Sequence, residues 1–180
     1  DDRILLLLNA LCKALDVEYA YISRINTSGS NAEILGILDH GMFSSNIYYL
    51  LENTPCEEVI KNNRLVHNRD FSNYFPDSKD ALLKDAVSFI GISLKDKNEN
   101  VIGMIAIASD FPIPDTNLAE NILTIATSRA IIELEHQIEI NNRDRYQQGL
   151  ELIDDWIARL ITEGYDENAF FKNICRAAQE

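Results

Sequence analysis

A chain of 180 residues, 46% hydrophobic and 25% charged with 7 glycines and 4 prolines, can bury one domain core with some length to spare, and its composition excludes a collagen-like or wholly disordered polymer. The formal net charge of −13 is spread along it, with 10 basic against 16 acidic residues in 1–110 and 6 against 13 in 111–180, so no basic patch is offered to nucleic acid or to an anionic membrane surface. The apolar run Ile4–Leu8 falls far short of the ~20 residues that span a bilayer.

From the N-terminus, Leu7, Leu8, Leu11, Ala14 and Leu15 recur at helical spacing, which predicts a helix over Ile4–Leu15 closed by Asp16. Val17–Ile25 then alternates and reads as a strand, Asn26–Asn31 as a turn, and Ala32–Leu38 as a second strand, the two forming an antiparallel hairpin. Asp39–Asn46 reads as loop, and Cys56–Asn63 and Ser78–Ala86 as short helices around an extended piece, Leu65–Asn68. Ser88–Leu94 and Val101–Ser109 form a second hairpin across the polar hexapeptide Lys95–Asn100. Both arms are almost continuously apolar, as expected of strands covered on both faces.

Between Pro114 and Gly164 there is no proline and a single glycine, Gly149, so one long helix is predicted over 115–163, with Asn117 and Glu120 at capping-box spacing. At ~1.5 Å per residue it would be roughly 70 Å long, more than a compact domain can cover. Steps of four and three along it visit Leu118, Ile122, Ile125, Ile132, Leu150, Ile153, Ile157 and Leu160, interrupted by a polar stretch from Arg129 to Arg143. A sustained 3.5-residue period is a coiled-coil seam, which predicts a homodimer through this helix. The alternative is a helix that bends at the polar stretch and lays its halves on two domains. Residues 170–178 (FFKNICRAA) repeat the apolar, Cys, basic, Ala order of residues 7–15 (LLNALCKAL), so 164–180 is read as the truncated first helix of a second domain of the same type. The chain lacks an initiating Met and looks excised from a longer protein. Cys12, Cys56 and Cys175 are odd in number and widely spaced, which argues against a disulfide framework or a zinc site and fits a reducing cytoplasm.

Thr54-Pro55-Cys56-Glu57 is a helix-start device, with Thr as N-cap, Pro at the first helical position and Glu three residues on. In series with the Phe75-Pro76 pair and the SFIGISL and VIGMIAIAS strands, it resembles the GAF domain family, small-molecule sensor modules of bacterial signalling proteins, over about residues 4–138. Asn53 stands where the family usually has Gly, and Phe89 where it often has Tyr. The resemblance implies an α+β fold: a central antiparallel sheet of five to six strands with helices on both faces, the terminal helices together on one and a ligand pocket on the other. The domain core would be residues 1–114. The function implied is a cytoplasmic sensory input module that relays binding of a small molecule or partner through the dimeric helix to an effector of histidine kinase or diguanylate cyclase type in the same chain. A ligand-free dimerisation spacer and a GAF-fold reductase using Cys56 are the alternatives.

The chemistry known for such domains is tested residue by residue. Bilin-binding members usually carry Cys followed by His, whereas here the cysteines precede Lys13, Glu57 and Arg176, and the cyclic-nucleotide signature does not align on Asn63–Asp77. Both cofactors are disfavoured, and the ligand is left unassigned. No catalytic or metal-binding residue is expected. The pocket would be lined by Tyr21, Tyr49, Cys56, Phe71, Phe75 and Phe89, with Tyr48 and Tyr74 in the same aromatic-rich roof. At the second helical position Cys56 would have its thiol pKa lowered by the helix dipole, but beside Glu57 and Glu58 the preferred reading is a small buried packing residue. His40, His67 and His136 are read as surface or loop residues rather than metal ligands or pH switches.

Overall fold

The computed structural model describes residues 2–26, 29–75, 83 and 85–163, with side chains as far as residue 159. Its elements are α1 (Asp2–Leu15), β1 (Tyr19–Ile25), β2 (Asn31–Asp39), β3 (Met42–Ser44), β4 (Ile47–Leu50), α2 (Pro55–Asn62), β5 (Arg64–His67), α3 (Phe71–Tyr74), β6 (Ser88–Lys95), β7 (Val101–Ser109) and α4 (Thr116–Glu163). The seven strands form one antiparallel sheet in the order β3-β2-β1-β7-β6-β5, with β4 also paired to β2. The two predicted hairpins are present and are sutured through β1 and β7, in register from Tyr19 opposite Ala108 to Arg24 opposite Gly103.

The sheet exceeds the expected five to six strands because residues 42–50, partly read as loop, contribute β3 and β4. Asp39 pairs with Met42, and the two residues between them, His40 and Gly41, have φ of 47° and 81°. Positive φ at both central residues is what a tight hairpin with the sheet's own twist requires. β3 is only three residues long, too short for a periodic signal.

Alternation along β7 explains why the central strands are apolar throughout. Ile105 and Ile107 face one side, where they join Ile22, Leu35 and Ile90 beneath Ile4, Leu8 and Leu11 of α1 and Ala119, Leu123, Ala126, Ala130 and Leu134 of α4. Met104, Ala106 and Ala108 face the other, with Tyr21, Phe89 and, from α2, Cys56 and Val59. Both terminal helices thus share one face and α2 takes the other.

α4 is capped by Asp115, whose Oδ1 accepts the Leu118 N–H at 2.9 Å, rather than by the expected Asn117–Glu120 box; Glu120 instead pairs with Arg64 at 3.0 Å. The helix belongs to two compact units, residues 1–136 and 137–180. In the first, the core-facing residues 119, 123 and 126 each follow a predicted seam residue by one, and 130 and 134 continue the core-facing set. The segment therefore carries two apolar stripes. Leu118, Ile125 and Ile132 of the seam are 52%, 76% and 54% exposed, whereas Ile122 is partly buried against the domain's own core. In the second unit Tyr146, Leu150, Ile153 and Ile157 are exposed. The Leu160 side chain, Pro76, most of the helix expected at Ser78–Ala86, Cys175 and the tail repeat lie outside the described residues.

At the suture of the two hairpins, a Cβ on Gly103 would stand 2.2 Å from the Ser23 carbonyl oxygen, a backbone atom that cannot step aside. Gly103→Ala should therefore destabilise the domain by about 1–3 kcal/mol or more, read as a lower urea midpoint at unchanged slope. A neutral result would mean that the β1–β7 junction is looser than described.

Candidate functional site

The helix-start device builds one wall of the site. Thr54 has extended backbone, its Oγ1 accepts the Glu57 N–H at 3.3 Å, and its own hydroxyl donates to the Leu51 carbonyl at 2.6 Å. The Glu57 carboxylate reaches back to the Asn53 N–H at 3.0 Å and forward to Lys61 at 2.7 Å; the Lys61 contact, then the Asn53 N–H, lower its pKa. Asn53 has a φ of 60°, a left-handed conformation that Asn adopts at smaller cost than other residues with a Cβ, which accounts for Asn where the resemblance implied Gly.

This cap drives Cys56 and Val59 into the sheet, where both are fully buried. Gly91 makes the approach possible, since a Cβ there would lie 2.7 Å from a Val59 methyl. Tyr49 Oη donates to Cys56 Sγ at 3.1 Å, and Tyr21 Oη lies 3.2 Å from the same sulfur, close enough for a hydrogen bond in either sense. Beside them the Phe71 and Phe89 rings stack at 4.8 Å, and Phe75 packs 5.5 Å from Phe71.

All six residues read as pocket lining therefore meet in one cluster on the α2 face. Tyr21, Cys56, Phe71 and Phe89 are buried against one another; Tyr49 and Phe75 are partly covered. Tyr48 departs from the expected roof: its side chain is 72% exposed and its hydroxyl donates to Glu33, which also pairs with Arg24. Tyr74, at 64% exposure, lies 4.3 Å ring to ring from His67. A groove of about 470 Å³ follows the outer side of α2 between Asn53, Glu57 and Lys61 and the rings of Tyr74 and Phe75.

Cys12 packs on the opposite, terminal-helix face, so it is no partner for Cys56. Burial, and after it the Glu18 charge, push the Cys12 thiol up to about 11. Among the described residues no group of three or more His, Cys, Asp or Glu side chains is arranged to hold a metal ion.

One connection was not legible from sequence. The backbone of the strap from Asp110 to Asp115, which joins β7 to α4, is tied to three distant residues. The Asp110 N–H donates to the Glu18 carboxylate at 3.1 Å, the Ser88 hydroxyl donates to the Phe111 carbonyl at 2.7 Å, and the Ile113 N–H donates to Asn68 Oδ1 at 2.7 Å. Asn68 stands between β5 and the aromatic helix α3, so the roof of the cluster is bonded directly to the approach to α4.

Three solved structures with the same arrangement are 12–14% identical to this chain. They include the GAF domain of a two-component sensor histidine kinase from Bacillus halodurans (TM-score 0.60, 14% identity, covering 79% of this chain and 97% of that one). Another is the GAF domain of an Acinetobacter phosphoenolpyruvate-protein phosphotransferase (TM-score 0.60, 12% identity, 77% and 84%). The chain has the GAF fold. A type II free methionine-R-sulfoxide reductase from Thermoplasma acidophilum shares it at a TM-score of 0.54 and 14% identity, over 76% of this chain and 96% of that one. No protein-family model and no curated protein matches the sequence. The GAF fold accounts for the two-faced sheet.

The cluster predicts that Cys56 of the native protein resists alkylation at neutral pH while the urea-unfolded chain labels readily; fast native labelling would instead reveal an accessible thiolate. Tyr49→Phe and Tyr21→Phe should each cost about 0.5–1.5 kcal/mol of stability in urea unfolding.

Proposed function

We propose that this GAF domain is a non-catalytic input module in which occupancy of the α2 face by a small molecule or partner biases the arrangement of α4. Two copies pair along the exposed stripe of α4 and pass the change to an effector carried further along the same chain, of the histidine kinase or diguanylate cyclase type. The observation that carries the reading is the double-striped α4, with one apolar edge spent on the sheet and a second left exposed at Leu118, Ile125 and Ile132. The tie from Asn68 to Ile113 supplies a route from the aromatic cluster to the start of that helix. A ligand drives such a relay only through differential affinity for two arrangements of the helix pair.

A second reading is favoured by one observation. Among the described residues the α2 face is filled by the protein's own Cys56, Val59, Phe71 and Phe89, as in a GAF domain that binds nothing and serves as a dimerisation spacer. The reductase reading needs a second thiol near Cys56, and Cys12 does not supply it.

A thermal-shift screen against nucleotides, amino acids and tetrapyrroles separates the first two. A ligand at a hundred times its dissociation constant adds ~2.7 kcal/mol and raises the melting temperature by several degrees. A shift that Phe89→Trp abolishes supports the sensor; no shift with any compound supports the spacer.

A further inference from the structure

His40, read from sequence as a loop residue, sits in the tight β2–β3 turn with its ring between two carboxylates. Its Nδ1 lies 2.7 Å from Asp39 Oδ1 at the end of β2, and its Nε2 lies 3.1 Å from Asp110 Oδ2, the first residue of the strap into α4. The Tyr19 ring packs against the imidazole edge to face at 5.0 Å. Backbone bonds complete the junction: the His40 N–H donates to the Glu18 carbonyl at 3.0 Å, and the Asp110 N–H donates to the Glu18 carboxylate. One ring therefore fastens the ends of β2, β1 and β7 at the point where the chain leaves the sheet for α4.

The charged and titratable groups around this ring are Asp39 from β2, Glu18 and Tyr19 at the start of β1, and Asp110 after β7, with Asp85 ahead of β6 acting on the Tyr19 phenol. Among the described residues no Lys or Arg pairs with Asp39 or Asp110, so protonated His40 is the cation that meets them. An imidazolium has two N–H donors and satisfies both carboxylates. A neutral imidazole has one, so a carboxylate is left facing a ring lone pair while the negative charges of the junction stand uncompensated.

We infer that His40 is a proton-operated clasp on the strap that enters α4, holding Asp110 when protonated and releasing it when neutral, whatever occupies the α2 face. The Asp39 carboxylate first, and Asp110 with it, raise the His40 pKa above its ordinary 6.5 against the opposing effect of burial. Burial first, then the Asp110 carboxylate, raises the Tyr19 phenol, which stays protonated over the same range. A group whose pKa is raised on folding contributes its stability fully below the unfolded value, and that contribution is lost as pH rises through the folded midpoint. The clasp is thus closed in mild acid and opens as the solution turns alkaline.

The test uses the whole chain and His40→Asn, chosen because Asn tolerates the left-handed backbone of this turn. The ring resonance that disappears in His40→Asn should titrate above ~6.5 in the wild type and at lower pH in Asp110→Asn and in Asp39→Asn. The melting-temperature advantage of wild type over His40→Asn should be present near about pH 5.5 and vanish by about pH 9. The hydrogen-exchange protection factor of the Asp110 amide should fall through the same midpoint in wild type and show no such step in the variant. A midpoint at or below ~6.5, an advantage constant with pH, or an Asp110 amide indifferent to the titration would each overturn the clasp.

Discussion

Everything in this molecule depends on burying both faces of β1, β7 and β6. A sheet whose central strands are apolar on each side folds only if each side finds a cover, and here the covers differ in kind. One is a pair of long helices from the two ends of the chain, seated through small residues at 119, 126 and 130 of α4. The other is the short helix α2, held down by its cap and admitted by a glycine floor at Gly91. The asymmetry separates the tasks: the α2 face meets the aromatic cluster, and the terminal-helix face carries α4.

The offset between the two stripes of α4 has a direct physical reason. A helix that serves only its own domain is polar on its far side. Here Leu118, Ile125 and Ile132 remain exposed beside a complete core-facing set. Those three stand at seven-residue intervals, and within the second unit the exposed Tyr146 and Ile153 have the same spacing. The strap that feeds this helix is bonded to Asn68, Ser88 and Glu18, so hydrogen bonds hold the approach to α4 against the sheet ends and the aromatic roof.

Much of this was written in the order of residues. Continuous apolar runs identified β6 and β7, Thr54-Pro55-Cys56-Glu57 identified α2, and the absence of helix breakers identified α4. Tyr21, Cys56, Phe71 and Phe89, expected to line a pocket, share one face of the sheet but are buried against one another as core. What stayed hidden was non-local or too short for a period. β3 rests on a two-residue turn, the α4 cap on Asp115 rather than Asn117, and the place of His40 on Asp110, seventy positions away in sequence. Ile122 shows the limit of a periodic reading. The 3.5-residue stripe counted it in the seam, but the domain's own core claims part of its surface, which no spacing rule reveals.

The account stands most directly on whether the outward stripe of α4 joins two chains. Sedimentation equilibrium of the whole chain, beside a variant carrying Ile125→Asp and Ile153→Asp, measures this without knowledge of any ligand. The expected result is a wild-type dimer and a monomeric variant that unfolds in urea at nearly the same midpoint, because both side chains are exposed in the single subunit. A wild type that remains monomeric at its highest soluble concentration, or a variant that dimerises as well as the wild type, would contradict the account.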